Sequence, residues 1–228
     1  MSRAVYVTGT DTGAGKSHAA ATLLAALNAR GLHAVGMKPI ASGCERTPNG
    51  WRNADAELLL AHSAGTPDYA DVNPYAFADP IAPHLAAADI GVDIDLARIQ
   101  TAFARLSASA DVVVVEGVGG WMAPLGPHLM QVDLVRALRL PVVLVVGLRL
   151  GCLNHSLLTA RAIHADGAAL IGWIGSGVDA HMARRDDNLA TLRERIAAPC
   201  LGVLPNSEAP DPSRQAALLA AACARWGR

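Results

Sequence analysis

The chain has 228 residues, 52% of them hydrophobic but only 4% aromatic, and a formal net charge of −1. That suits one sizeable α/β domain filled by Ala, Val and Leu, with no basic stripe for a nucleic-acid partner and no apolar run of ~18 residues for a membrane span. Cys44, Cys152, Cys200 and Cys223 form no CxxC pair, and Met1-Ser2-Arg3 leads directly into a strand; reduced thiols in a cytoplasmic protein are therefore expected, not disulfides, a zinc cluster or a secretory signal.

Ala4–Thr8 opens the chain as an apolar strand. "VTGTDTGAGKSH", residues 7–18, follows and ends in Gly15-Lys16-Ser17, the close of a phosphate-binding loop, although Thr10 stands where the first loop glycine is expected. Gly9, Gly13 and Gly15 let backbone N–H groups turn toward an anion, and a helix over Lys16–Arg30 adds its positive end. In that setting Lys16 reaches the outer phosphates and the Ser17 hydroxyl sits on Mg²⁺. Gly31 stops the helix, and His33–Met37 is the second strand, with Lys38 just beyond it. Lys16 and Lys38 are the only lysines among 19 basic residues. An ammonium approaches phosphate oxygens as a point charge where a guanidinium fork does not fit.

Ala54–Ser63 reads as a helix with Asn53 as its N-cap and Asp55 in its first turn, taken alone an ordinary helix-start acid. Pro74, Pro80 and Pro83 mark an ordered loop beside the strand ends. A helix over Asp93–Ser107 precedes "DVVVVEGVGG", 111–120, whose strand Asp111–Val115 ends at Glu116. A carboxylate there is costly to bury without a partner, which a metal provides; the other reading is that it exits to solvent. Helices over Val132–Arg139, Asn154–Ala165, Met182–Ala197 and Ser213–Arg225 then alternate with strands Pro141–Val146, Leu170–Ile174 and Cys200–Leu204. Such alternation with continuous apolar strands predicts a single-domain doubly wound, mostly parallel sheet spanning 1–228, with helices on both faces. Ligands of such sheets bind outside the carboxyl ends of the strands, where Lys16, Lys38 and Glu116 all fall.

Besides the loop, "MKPIASG" (37–43), "RNADA" (52–56), "VNPYAF" (72–77), "APH" (82–84), "VVEGVGGW" (114–121) and "VVGLRLGCLNH" (145–155) occur in the order found in dethiobiotin synthetases. The chain resembles that family from its first strand to about residue 178, and only loosely thereafter. The family's loop reads GTDT-x-x-GK-[ST], which accounts for the extra residue. The resemblance implies a P-loop, ATP- and Mg²⁺-dependent ligase of biotin biosynthesis. One amine of 7,8-diaminononanoate takes up CO₂ (from bicarbonate) as a carbamate, ATP phosphorylates it, and the second amine closes a cyclic urea. Phosphoryl transfer is largely positioning and electrostatics, so the want of a Ser-His-Asp or Cys-His set is no obstacle.

Residue by residue, the resemblance implies that Ser17, Asp55 and Glu116 hold the metal, and that Lys16 and Lys38 are catalytic, Lys38 stabilising the carbamate. Gly13, Ala14, Gly15, His18, Gly117, Val118 and Gly119 join them around ATP, with Ser176, Pro205, Asn206 and Ser207 at the base. Thr12 and Ser42 face the substrate. Gly151, Cys152, Leu153 and Asn154 reach across a two-fold homodimer interface to its carboxylate tail. Turn chemistry for Ser42 and an N-cap role for Asn154 are competing readings. Three departures stand out: Gly13 where many relatives carry Glu, Ser176 where Asn is common, and the segment 204–210.

His18, His155 and His164 lack metal-ligand spacing, and Trp51, Trp121, Trp173 and Trp226 read as packing residues. "HMARRDD", 181–187, reads as a solvated face. The rival class is a P-loop switch or partition ATPase, but those place a second lysine inside the loop, before Gly13, where this chain has none. A corrin amidoligase needs an appended glutaminase domain for which there is no room. A scaffold without turnover leaves the second lysine and the carboxylates unexplained.

Overall fold

Strands that are Val/Leu-rich on both faces need cover on both faces, and the architecture supplies it. A computed structural model describes residues 3–223. Its central sheet has six strands: β1 (Arg3–Gly9), β2 (Ala34–Met37), β3 (Val112–Glu116), β4 (Val142–Gly147), β5 (Leu170–Ser176) and β6 (Cys200–Leu204). All neighbours pair in parallel, in the order β6-β5-β4-β1-β3-β2. Successive residues feed opposite layers. Tyr6, Val113, Val115, Leu144 and Val146 enter one core, whereas Val5, Val7, Val114, Val143 and Val145 enter the other.

Helices α1 (Lys16–Asn28), α2 (Ala54–His62), α3 (Tyr69–Val72), α4 (Pro83–Asp89), α5 (Leu96–Ser109), α6 (Gln131–Leu138), α7 (Cys152–Ala165) and α8 (Arg185–Arg195) follow in chain order. The segment expected as one helix over Ser213–Arg225 divides into α9 (Pro212–Gln215), a 3₁₀ turn (Ala216–Leu219) and α10 (Ala220–Cys223). Arg225 and Trp226 lie outside the described residues. Gly31 has φ +80°, the left-handed geometry that carries the chain away from α1.

Three helix starts differ from expectation by two residues or more, each for a local reason. α5 begins at Leu96 because the Asp95 side chain caps it through the Ala97 N–H, while the Asp95 N–H is taken by the Tyr75 hydroxyl. α8 begins at Arg185, since Arg184 sits at φ +54° and cannot continue a right-handed helix. α7 begins at Cys152 behind Gly151 (φ +95°), so Asn154 lies inside the first turn and is not the N-cap. The stretch 74–83, expected as a loop, holds a short strand, Tyr75–Ala76, pairing with Ile40–Ala41. Two small hairpins, Glu45–Thr47 with Gly50–Arg52 and Pro124–Gly126 with Leu129–Met130, were also not anticipated.

Candidate active site

The β1–α1 turn is built by its own glycines and by Asp11. Gly13 (φ +72°) and Gly15 (φ +86°) are both left-handed, and a Cβ on Gly15 would overlap the Ser176 hydroxyl. The Asp11 carboxylate accepts from the Thr12 N–H at 2.7 Å and pairs with Arg149, from the β4–α7 turn, at 3.1 Å. Lys16 closes the loop: its Nζ donates to the Asp11 carbonyl at 3.0 Å, and its stem lies against Gly9, where a Cβ would come within 2.9 Å of Lys16 Cγ. Burial and the neighbouring Lys38 charge pull the Lys16 ammonium down to about 8, against the opposing pull of Glu116, Asp55 and Asp11.

β3 lies beside β1 in register, Val7 opposite Glu116, which brings the end of "VVVVE" up to the loop. β2 pairs with the other edge of β3, Met37 opposite Val115, so Lys38 leaves its strand next to Glu116. The buried Lys38 ammonium donates to Glu116 Oε1 at 2.5 Å, Asp55 Oδ2 at 3.0 Å and the Gly117 carbonyl at 3.2 Å. All three of its N–H donors are thereby used. Ser17 Oγ donates to the same Glu116 Oε1 at 2.8 Å. Asp55 is delivered by α2, whose N-cap Asn53 accepts from the Asp55 and Ala56 N–H groups, as the sequence predicts.

These groups set one another's charge. Burial lowers the Lys38 pKa, but Glu116 and Asp55 outweigh it and hold the ammonium above its ordinary value. Burial raises the Glu116 carboxyl, Lys38 opposes it, and the outcome stays above the usual carboxylate range. For Asp55 burial is outweighed by Lys38, Ser17 and Lys16, and its pKa falls. Glu116 Oε2 is buried without a hydrogen-bond partner. An unpaired carboxylate oxygen with a hydroxyl and a second carboxylate close by is a donor set that fits a hard cation. Among the described residues no three His, Cys, Asp or Glu side chains gather into a metal site by themselves, so the set is two carboxylates and a hydroxyl.

A cavity of about 780 Å³ opens over this cluster. It is lined by Thr12, Gly13, Gly15, Lys16, Ser17 and His18 of the loop and by Lys38, Ser42, Asp55, Glu116, Val118 and Gly119. Ala41, Pro80, Ile81, Ala82, Pro83 and Ala123 supply apolar lining. His18 Nε2 meets Gln215 of α9 at 2.8 Å. Ala14 is buried behind the loop, and the Gly117 carbonyl faces Lys38. Ser176, also buried, packs beneath Gly15 at the end of β5 and does not line the cavity. Pro205, Asn206 and Ser207 are exposed beyond β6, with Asn206 Nδ2 donating to the Gly177 carbonyl at 3.0 Å. Gly151–Asn154 lies outside the cavity of its own chain: Asn154 is exposed at the start of α7, Cys152 buried under it. Trp121 and Trp173 are core residues, while Trp51 is 39% exposed beneath the Arg46 guanidinium. Sequence reasoning did not find Asp11, Arg149 or Asn53's bond to the Ser42 carbonyl. "GTDT" held the signal for Asp11; nothing in the sequence pointed to Arg149.

Comparisons with known proteins bear on the chain as a whole. A family model described as "AAA domain" matches residues 3–214. ATP-dependent dethiobiotin synthetase BioD of Xanthomonas oryzae pv. oryzae (strain PXO99A) is 62% identical over 202 residues, 89% of this chain and 90% of the relative. The protein of that name from Xanthomonas euvesicatoria pv. vesicatoria (strain 85-10) is 60% identical over 213 residues, 93% of this chain and 95% of its own. That from Xylella fastidiosa (strain 9a5c) is 56% identical over 203 residues, 89% and 90% of the two chains. Among solved structures, the cell division protein FtsY of Thermotoga maritima aligns with a TM-score of 0.50 at 17% identity, over 96% of this chain and 69% of its own. The FtsY receptor of Elizabethkingia anophelis with GDP aligns at 0.51 and 14% identity, over 93% of this chain and 59% of its own, a likeness of fold alone. Alignment over nine-tenths of both chains at such identity leaves one conclusion: this chain belongs to the dethiobiotin synthetase family.

Proposed function

We propose that the chain closes a cyclic urea on a vicinal diamine, converting 7,8-diaminononanoate and CO₂ to dethiobiotin at the expense of ATP. Family membership carries the ATP-dependent step of biotin biosynthesis. The observation that carries the finer reading is the buried Lys38, tied to Glu116 and Asp55 at the edge of the cavity and facing the phosphate loop. A carbamate and a γ-phosphate are both anions, and bringing them together requires concentrated positive charge with little else. Lys16 and the loop N–H groups take the phosphates. Thr12 and Ser42 orient the diamine, whose hydrocarbon chain suits the apolar lining from Pro80 to Pro83. Lys38 must surrender one of its three partners to reach the carbamate, and Asp55, with a side chain 42% exposed against 0% for Glu116, is the one that can turn away.

Ser17, Asp55 and Glu116, with its free Oε2, fit a Mg²⁺ ion that arrives with ATP. When bound, the ion supplies neutralisation of phosphate charge. The protein's own part is to hold the two anions in line and to keep Lys38 protonated. Release of ADP should therefore require diaminononanoate and bicarbonate together. Equal ATP hydrolysis with neither present would favour the switch-ATPase alternative.

Gly151–Asn154, with Gly151 and Asn154 exposed and none of the four lining the cavity of its own chain, supports a homodimer in which that segment serves the partner's site. Leu150 (95% exposed) and Leu158 (56%) flank it with apolar surface. Mixing Lys38→Ala and Asn154→Ala subunits should then restore part of the activity through hybrid sites. No recovery after demonstrated exchange of subunits contradicts the shared site. A cytoplasmic setting fits a small-molecule ligase, and no helix among the described residues is long and apolar enough to cross a membrane.

Base choice should be loose. An asparagine amide pairs with a base edge through fixed donors and an acceptor, and leaves them unpaired with the wrong base. Ser176 offers one rotating hydroxyl, packed against Gly15. CTP and GTP are expected within about tenfold of ATP in kcat/KM, under ~1.4 kcal/mol, and Ser176→Asn should widen the gap. Steady-state kinetics with four nucleotides check it; a hundredfold wild-type preference for ATP contradicts it.

A further inference from the structure

Gln131, the first residue of α6, is fully buried, and the reaction as derived leaves it without a task. Its side chain makes no bond to its own helix. Oε1 accepts from the Tyr6 hydroxyl and from the Val118 N–H at 3.3 Å, while Nε2 donates to the Val118 carbonyl and to the Gly120 carbonyl at 2.6 Å. A carboxamide has two donor hydrogens and two lone pairs, so all four positions are spent. Three of the four go to the turn that follows Glu116. The fourth anchors the amide to β1: burial, with Glu116 nearby, raises the Tyr6 pKa, so its hydroxyl stays a donor.

The glycine of "EGVGG" belongs to the same arrangement. A Cβ on Gly117 would lie 2.5 Å from both Gln131 Oε1 and Tyr6 Oη. Without it, the pair closes on the backbone, and the Gly117 carbonyl is left facing Lys38 at 3.2 Å. Val118, Gly119 and Gly120 line the cavity directly. A fully satisfied buried network rigidifies what it holds, and misplacement of reacting groups by ~1 Å can cost ~10²-fold in rate.

We propose that Gln131 is a positioning residue: its amide fixes the backbone of residues 117–120 and, through the Gly117 carbonyl, the place of the Lys38 ammonium. The link to turnover rests on Lys38 acting at the carbamate.

Gln131→Met keeps length and volume while deleting all four bonds, and Tyr6→Phe removes a single oxygen. Gln131→Met should lower kcat by about 10–100-fold with KM for ATP within about threefold. Tyr6→Phe should lower kcat less, and the double variant should be no worse than Gln131→Met, because both act through one network. Hydrogen exchange at the Val118–Gly120 amides should quicken by about tenfold or more, with the β4 amides unchanged. A fall in melting temperature with kcat and loop exchange both unaltered overturns the proposal, as does a rise in KM for ATP at constant kcat. If Gln131→Met does not fold, Tyr6→Phe decides alone by the same two readings. Should the wild-type chain make no cyclic urea, the proposed reaction fails separately. Loop exchange then decides: faster exchange in Gln131→Met supports the positioning role, and unchanged exchange overturns it.

Discussion

Replacing Lys16 with alanine is expected to cut turnover by ~10²-fold or more and to weaken MgATP binding at the same time. Two consequences of one substitution coincide because Lys16 serves two ends. Its Nζ spans the loop to the Asp11 carbonyl, so the loop loses a tie as well as a charge. Its ammonium also faces the cavity beside Ser17, the place the proposed reaction gives to the outer phosphates. Arginine should not rescue. The stem lies close over Gly9, leaving little room for a planar fork to turn. Steady-state kinetics and nucleotide titration of Lys16→Ala and Lys16→Arg check the expectation, and a variant with near-normal ATP affinity contradicts it.

Lys38→Ala should separate what Lys16→Ala joins. Nucleotide binding should stay within a few fold, while kcat falls by ~10²-fold or more, the scale of removing one preorganised stabiliser of developing charge. Stability should fall too. Glu116 is buried and its Oε1 depends on Lys38 and Ser17, so losing the ammonium leaves a carboxylate with too few partners. Breaking such a pair costs about 3–5 kcal/mol. Mg²⁺ should recover part of that loss in Lys38→Ala, since a cation can take the place between Glu116 and Asp55. Lys38→Arg should remain inactive, because a planar guanidinium cannot reproduce a point charge that bonds Glu116, Asp55 and the Gly117 carbonyl from one nitrogen. Full activity of Lys38→Arg would contradict the reading of the two lysines. Denaturant titration with and without Mg²⁺, beside kinetics, supplies the measurements.

What could be read from the residues and what could not divides along physical lines. β3 was legible because Val112–Val115 is apolar on every face, which only a covered parallel strand tolerates. α2 was legible because Asn53 is a strong cap. The starts of α5 and α8 were not, since the first depends on the remote Tyr75 hydroxyl and the second on a positive φ at Arg184. Strands of two residues, such as Ile40–Ala41 with Tyr75–Ala76, carry no periodicity to read. The strand-end logic placed Lys16, Lys38 and Glu116 together without help. Asp55 joined them only through the family resemblance, because a helix-start acid looks the same whether or not it meets a lysine. The Arg149–Asp11 pair and the Gln131 network join residues more than a hundred positions apart or bury a side chain whose sequence surroundings are unremarkable, and neither leaves a local pattern.

The central claim is that the two lysines bring a carbamate and a γ-phosphate together to close a urea ring. Incubating the protein with diaminononanoate, ¹³C-bicarbonate and MgATP, followed by mass detection, tests it directly. The account predicts a cyclic urea carrying the label in its carbonyl, formed in step with ADP and absent when the diamine is left out. ADP formation that proceeds without diamine and yields no labelled ring would contradict it.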